Sequence, residues 1–322
     1  MTARAFWAIA PGQGALRTEP LPAPGEGQAL VRTLASGISR GTESLVFHGR
    51  VPESEHARMA CPMMGGAFPF PVKYGYSAVG LAETGAHAGR RVFALAPHQD
   101  RFVASHALLA PLPDALPTSR AVLGANMETA LNIFWDAQPL ISERIAVIGA
   151  GVVGLLSAFL LARLPATTVT LIDTDASRAP LAATLGCRFA VPEDAAPEQD
   201  LIVHASGNPA GLATAMAIAA NEARILEASW FGTAPCAVPL GGAFHARRLR
   251  LVATQVGQVA APMRGRRSHA ERLATALDLL LDDRLETLLD GETAFEDLPA
   301  AMPRILGAPG ALCHVVTYTK DA

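Results

Sequence analysis

IAVIGAGVVGLLSAFLLA, residues 145–162, decides the fold. It is an uncharged run of a length that raises the question of a membrane helix, but three glycines argue against one. Ile145 to Ile148 is a short apolar run suited to a buried parallel strand, and Gly149-Ala150-Gly151-Val152-Val153-Gly154 supplies a G-x-G-x-x-G turn into an apolar helix. Pro165 is expected to stop that helix. A second strand over Thr168 to Ile172 ends on Asp173, nineteen residues after the last glycine. The glycine pattern alone is weak, but strand, turn, helix, strand and acid together specify a dinucleotide-binding unit. Gly149 permits the tight turn, Gly151 lets backbone amides approach a pyrophosphate, and Gly154 lets helix and strand pack closely. The helix start at Val152 and Val153 presents unpaired N–H groups to the anion.

Outward from this unit the chain alternates. An Ala-rich helix ends at Gly186, and strands are expected at 188–191, 224–228 and 249–255. DLIVHASGNPAG at 200–211 is a strand entering a turn at Ser206 and Gly207, with a helix over about 210–220. Such alternation means a doubly wound parallel sheet over residues 120–264. Residues 1–119 differ: short alternating segments such as GQALVRTLAS, broken by Pro and Gly, indicate a β-rich domain. An amphipathic helix near 269–281 and a strand at 314–318 return to that domain, which thus takes in 265–322.

Composition bounds the function. The chain has 322 residues, half of them apolar, enough for two domains. A net charge of −3 lacks the basic field that nucleic acid requires. The four cysteines, Cys61, Cys187, Cys236 and Cys313, include no close pair, so neither a disulfide framework nor a zinc ribbon is implied, and a reducing cytoplasm is expected. MTARAFWAIAPGQG meets Pro and Gly before any long apolar run, so position 1 is expected to be the true start.

A β-rich N-terminal domain carrying the turn G-I-S-R-G-T-E at 37–43, a central GAGVVG unit and a short C-terminal return resemble the medium-chain dehydrogenase/reductase superfamily across essentially the whole chain. Within it, the turn and GYSAVG at 75–80 are similar to the threonine-dehydrogenase-like branch that includes bacteriochlorophyllide dehydrogenase. The resemblance implies an α/β fold, a Rossmann sheet plus a GroES-like catalytic domain, forming a homodimer.

In zinc members of that superfamily the turn reads G-I-C, and here the cysteine's place is Ser39. A G-H-E segment supplies two more ligands there, and here Tyr76 and Ser77 stand in those places. A further ligand position falls at Ala125, with Glu128 the strong ligand nearby. Zinc prefers thiolate, imidazole or carboxylate, and the four-cysteine structural lobe is missing, so a zinc-free protein is expected. Without that Lewis acid a hydrogen-bond donor must act on the substrate. Tyr76, Ser39, Thr42, Glu43 and His48 all come from segments that should line the former metal site, and Tyr76 leads. Lys73 is the cation nearest in sequence that could lower the phenol's pKa, although a strand would turn the two apart. Tyr76 could otherwise fill the space left by the metal, His48 be a surface histidine, Glu43 hold Arg40 or a backbone amide, and Glu128 serve a helix N-terminus.

Asp173 favours NAD(H) over NADP(H), because a 2'-phosphate would meet like charge with Arg178 the sole candidate to offset it. Arg247, Arg248, Arg250, Arg264, Arg266 and Arg267 mark a solvated face or rim a pocket for an anionic small-molecule substrate. Lysines are restricted to Lys73 and the terminal Lys320, which disfavours Schiff-base chemistry. The expected activity is hydride transfer between NAD(H) and a secondary alcohol or ketone. Alternatives are a zinc-free quinone or enoyl reductase, a redox-silent NAD(H)-binding sensor or scaffold, and a zinc enzyme using Glu128.

Overall fold

A computed structural model describes residues 1–319; Lys320 lies outside them. The chain divides into two units: one comprises Met1–Ala125 and the segment from Leu273 on, the other Asn126–Arg272.

The second unit carries six parallel strands in the order Arg188–Ala190, Thr168–Ile172, Arg144–Ile148, Gln199–His204, Ala219–Glu227, Arg250–Ala253. In chain sequence this is 3-2-1-4-5-6, the doubly wound order whose switch point lies between the first and fourth strands. Those central strands are buried on both faces, as their unbroken apolar runs require. The helix after the glycine turn spans Val152–Leu161, and its buried face is almost wholly Leu, Phe and Ala. It ends four residues before Pro165, whose ring would clash with the Leu161 carbonyl if the helix ran on. Among the described residues no helix is long and apolar enough to cross a membrane.

Several boundaries differ from the sequence pattern, among them the last sheet strand, which spans Arg250–Ala253 rather than 249–255. The helix Pro209–Ile218 passes directly into the strand Ala219–Glu227, which begins five residues earlier than expected. Glu222 holds a positive φ of 58° there and the pairing shifts register, so the extra length is accommodated by an irregularity that apolar alternation does not reveal. The helix His269–Leu279 is two residues shorter than its pattern.

The first unit holds a seven-stranded sheet and a four-stranded one. At the centre of the larger, Gln28–Ser39 pairs antiparallel with Cys313–Thr317 on one side and Ala78–Ala82 on the other. Its core packs Phe6, Phe47, Tyr74, Phe295 and Met302 together. Helices Arg40–Phe47 and Leu298–Gly307, the latter with Pro303 inside it, also belong to this unit. Neither is legible in the sequence, because Arg40–Phe47 is short and carries Gly41 in its first turn and Leu298–Gly307 is interrupted by Pro303.

Candidate functional site

Ser39 ends the central strand and caps the helix Arg40–Phe47, yet its hydroxyl makes no capping bond. Glu43 reaches back instead: its Oε1 accepts the Ser39 N–H at 2.8 Å, doing from the fourth helical position what the acid of a capping box does from the third. The Ser39 hydroxyl is thereby left to hydrogen-bond Tyr76, which Thr42 also contacts. Tyr76 packs against the Phe6–Phe47 core, edge-on to Tyr74 at 6.1 Å. The structure thus gathers Tyr76, Ser39, Thr42 and Glu43. Burial, then the charge of Glu43, raises the Tyr76 pKa well above the ordinary tyrosine range, against the lowering effect of Ser39 and Thr42.

Beneath this group lies a histidine that the sequence reading did not single out. His98 Nε2 donates to Glu43 Oε2 at 2.8 Å, and its Nδ1 accepts from Ser36 Oγ at 2.7 Å, which in turn accepts the Tyr318 hydroxyl at 2.8 Å. The tautomer follows from the carboxylate, which only accepts. His98 and Glu43 are both almost fully buried, so each needs the other satisfied. A cavity of about 10 Å³, bounded by Glu43, His98, Phe47, Tyr74 and Met302, adjoins them. It has room for one water and none for a substrate. Glu43 and His98 therefore brace the Ser39 turn from behind. Cys61 donates to the Gly75 carbonyl at 3.2 Å, and burial pushes its thiol up to about 12.

The remaining candidates fall elsewhere. His48 is exposed at the helix end, with Nδ1 2.8 Å from the Ser44 carbonyl, so it is a surface histidine and not a member of this group. Glu43 holds a backbone amide, as one reading had it, while Arg40 goes to the Leu306 carbonyl. Lys73 does not serve Tyr76: it pairs with Glu19 and donates to Gln99 at 3.2 Å. Ser77 is buried with its hydroxyl on the Val122 carbonyl, and Ala125 is a buried methyl. Glu128 faces Arg272, whose guanidinium, fully buried, reaches Glu128 at 3.1 Å, Asn132 at 2.6 Å and two carbonyls. Buried pairing of this kind binds the carboxylate to a structural cation. Among the described residues no three His, Cys, Asp or Glu side chains form a metal-holding group.

In the second unit, the strand Arg144–Ile148 delivers Gly149 at φ +106°, where a Cβ would come within 2.7 Å of the Ser206 backbone. A Cβ on Gly154 would lie 1.9 Å from the Gly149 carbonyl oxygen, whereas one on Gly151 would meet open space. Leu155 N–H makes the first helical bond, to Gly151 O, which leaves the N–H groups of Val152, Val153 and Gly154 without helical acceptors. Asp173 accepts Ala150 N–H at 2.6 Å and Asp175 N–H at 2.9 Å. Arg178 is held by Asp175 at 3.4 Å. Ser206 and Gly207 follow the fourth strand, beside Gly149 at the switch point. The arginines are spread over the surface: Arg247 and Arg248 pair with Glu198 and Glu222, and Arg264 and Arg267 donate to local carbonyls.

No family model matches the chain, and no curated protein matches its sequence. Solved structures do share its fold. An alcohol dehydrogenase from Escherichia coli complexed with NADH superimposes with a TM-score of 0.79 at 17% identity, covering 98% of this chain and 99% of that one. L-idonate 5-dehydrogenase from Escherichia coli gives 0.81 at 14%, covering 98% of each. 2R,3R-butanediol dehydrogenase from Bacillus subtilis gives 0.78 at 15%, covering 98% and 99%. End-to-end coverage with no large unmatched segment shows that this chain shares the fold of these dehydrogenases, a Rossmann sheet with a GroES-like unit.

Proposed function

We propose that the chain is a zinc-independent oxidoreductase of the medium-chain type that uses NAD(H) and transfers hydride between the nicotinamide and a secondary alcohol or ketone. The observation that carries this reading is the hydroxyl set of Tyr76, Ser39 and Thr42, found in a chain that also has the glycine turn of a dinucleotide unit. The named substrates of the L-idonate and butanediol enzymes that share the fold agree with an alcohol or ketone.

The glycine turn fits a dinucleotide because Gly151 leaves space against the backbone and the following N–H groups point at it. When bound, the nicotinamide supplies or takes the hydride. Zinc fits poorly, since hydroxyls and a methyl stand where its ligands would be. Tyr76 takes over the task of stabilising negative charge on the substrate oxygen. A phenol with a raised pKa stays protonated, so it acts as a fixed hydrogen-bond donor and not as a phenolate base. Ser39 and Thr42 fix its direction, and Glu43 with His98 fixes Ser39.

Tyr76→Phe tests the reading on protein first analysed for metal. Zinc below stoichiometry, unchanged NADH binding and a turnover of ketones or secondary alcohols lowered ~10² to 10³-fold are expected, the usual effect of losing one such donor. Wild-type turnover in the variant would remove Tyr76 from the mechanism, and about one tightly held zinc per chain would overturn the metal-free reading. Turnover of quinones or activated alkenes with none of alcohols would favour a reductase instead.

A further inference from the structure

Lys73, the only lysine among the described residues, lines a pocket of the first unit together with Glu19 and Gln99. The strand Thr2–Ala10 brings the three together: it pairs Trp7 with Lys73 on one side and Ala3 with Glu19 on the other, and it bridges Gln99 at Ala5. Residues 3, 5 and 7 of a strand share a face, and the partners directly opposite them share it too. Two of these three are alanines, and Gly65 bears no side chain where a Cβ would come within 2.9 Å of Lys73 Cε. The ammonium therefore has a clear path across the strand to Glu19.

The cluster is more than an ion pair. Lys73 Nζ donates to Glu19 Oε1 and, at 3.2 Å, to Gln99 Oε1. An ammonium only donates, so this contact fixes which end of the amide is oxygen. The Gln99 N–H2 group is left without a protein acceptor among the described residues, although Gln99 is only 3% exposed. Among those residues the third Lys73 N–H and Glu19 Oε2 are also without a protein partner. A buried amide left unserved is costly, and the pocket is the space from which it can be served. The rest of the wall is apolar, with Met63, Phe102 and Leu21 in it. The pocket has a volume of about 230 Å³, room for roughly eight waters at ~30 Å³ each or for a molecule of about that many heavy atoms.

We infer that this pocket binds an aliphatic α-amino acid as its zwitterion. Lys73 and Glu19 form a dipole of fixed direction, and a zwitterion lies against it with its own charges reversed. The ligand carboxylate accepts from the third Lys73 N–H and from the Gln99 N–H2 group, the ligand ammonium donates to Glu19 Oε2, and the aliphatic side chain covers Met63 and Phe102. The ion pair stays intact. A simple anion would bring a second negative charge to Glu19, and a simple cation a second positive charge to Lys73, so the net-neutral pocket disfavours both. The site is separate from the hydroxyl set of Tyr76: consecutive side chains of an extended segment diverge, His98 going to Glu43 and Gln99 to Lys73.

Calorimetric titration of the full chain with L-leucine tests this, beside 3-methylbutylamine, which lacks the carboxylate, and 4-methylpentanoate, which lacks the ammonium. Wild type is expected to bind L-leucine and to bind each analogue ~10-fold or more weakly, as the loss of one charge-assisted hydrogen bond implies. Gln99→Glu keeps an acceptor for Lys73 but replaces the donating amide by a carboxylate, and Glu19→Gln keeps the other acceptor but turns an N–H2 group toward the ammonium. Each should weaken L-leucine binding ~10-fold or more with the melting temperature little changed. Glu19, the more exposed of the two, decides alone if Gln99→Glu fails to fold. No saturable heat with L-leucine would overturn the inference and leave the polar groups to water. Analogues that bind as well as L-leucine would overturn the zwitterion, and undiminished binding by Glu19→Gln would overturn this pocket as the site.

Discussion

Asp173 spends one carboxylate oxygen on Ala150 N–H and the other on Asp175 N–H, so its charge is pinned at the mouth of the glycine turn. Asp175 stands two residues on and ties up Arg178. A 2'-phosphate would meet two carboxylates with the one nearby arginine already paired. NAD(H) should therefore bind more tightly than NADP(H), and Asp173→Ser should narrow the ratio ~10-fold or more, since each ~1.4 kcal/mol of repulsion removed is a factor of ten. Calorimetric affinities for both cofactors check this; an unchanged ratio would refute it. The place of Asp173 at the glycine turn was legible because it follows from spacing within one βαβ unit. That of His98 was not. Glu43 and His98 lie fifty-five residues apart, and no short pattern joins them; the one trace in the sequence is a histidine in apolar company, FALAPH at 93–98, where a buried polar group needs a partner.

At the scale of an element, the turn from the strand Arg144–Ile148 into the helix Val152–Leu161 separates packing from binding. Gly154 is pressed on the Gly149 carbonyl and Gly151 on nothing. Gly154→Ala should therefore destabilise the second unit by ~1–3 kcal/mol through overpacking, visible as a lower melting temperature. Gly151→Ala should leave the melt unchanged and weaken NADH binding, because its methyl enters the space a pyrophosphate would take. Similar melts for the two variants would show that the turn is not crowded as described. The strands of this unit were legible as apolar runs. The helix Arg40–Phe47 was not, since its first turn, Arg-Gly-Thr-Glu, carries no apolar periodicity and is fixed by the bond from Ser39 N–H to Glu43.

Across the whole molecule, all three tyrosines, Tyr74, Tyr76 and Tyr318, lie in the first unit, and burial raises the pKa of each. An unfolded tyrosine ionises near ~10, so above that pH the unfolded chain binds fewer protons than the folded one. The stability these phenols contribute is complete below ~10 and falls as pH rises, by up to ~1.4 kcal/mol per pH unit for each. Alkaline titration should show little phenolate absorbance past the ordinary tyrosine midpoint, then a cooperative rise as the first unit opens; a gradual rise centred on that midpoint would contradict the burial. The division into two units was legible only as a change of texture, from broken β segments to strand–helix alternation, because one partner of the Gln28–Ser39 strand lies at the other end of the sequence. That pairing, with Cys313–Thr317, has a consequence for synthesis. On the ribosome the second unit has every strand once Ala253 has been made. The first unit, begun earlier, waits with residues 35–39 of its central strand unpaired on one side until Thr317 emerges, so the part translated first is the part completed last.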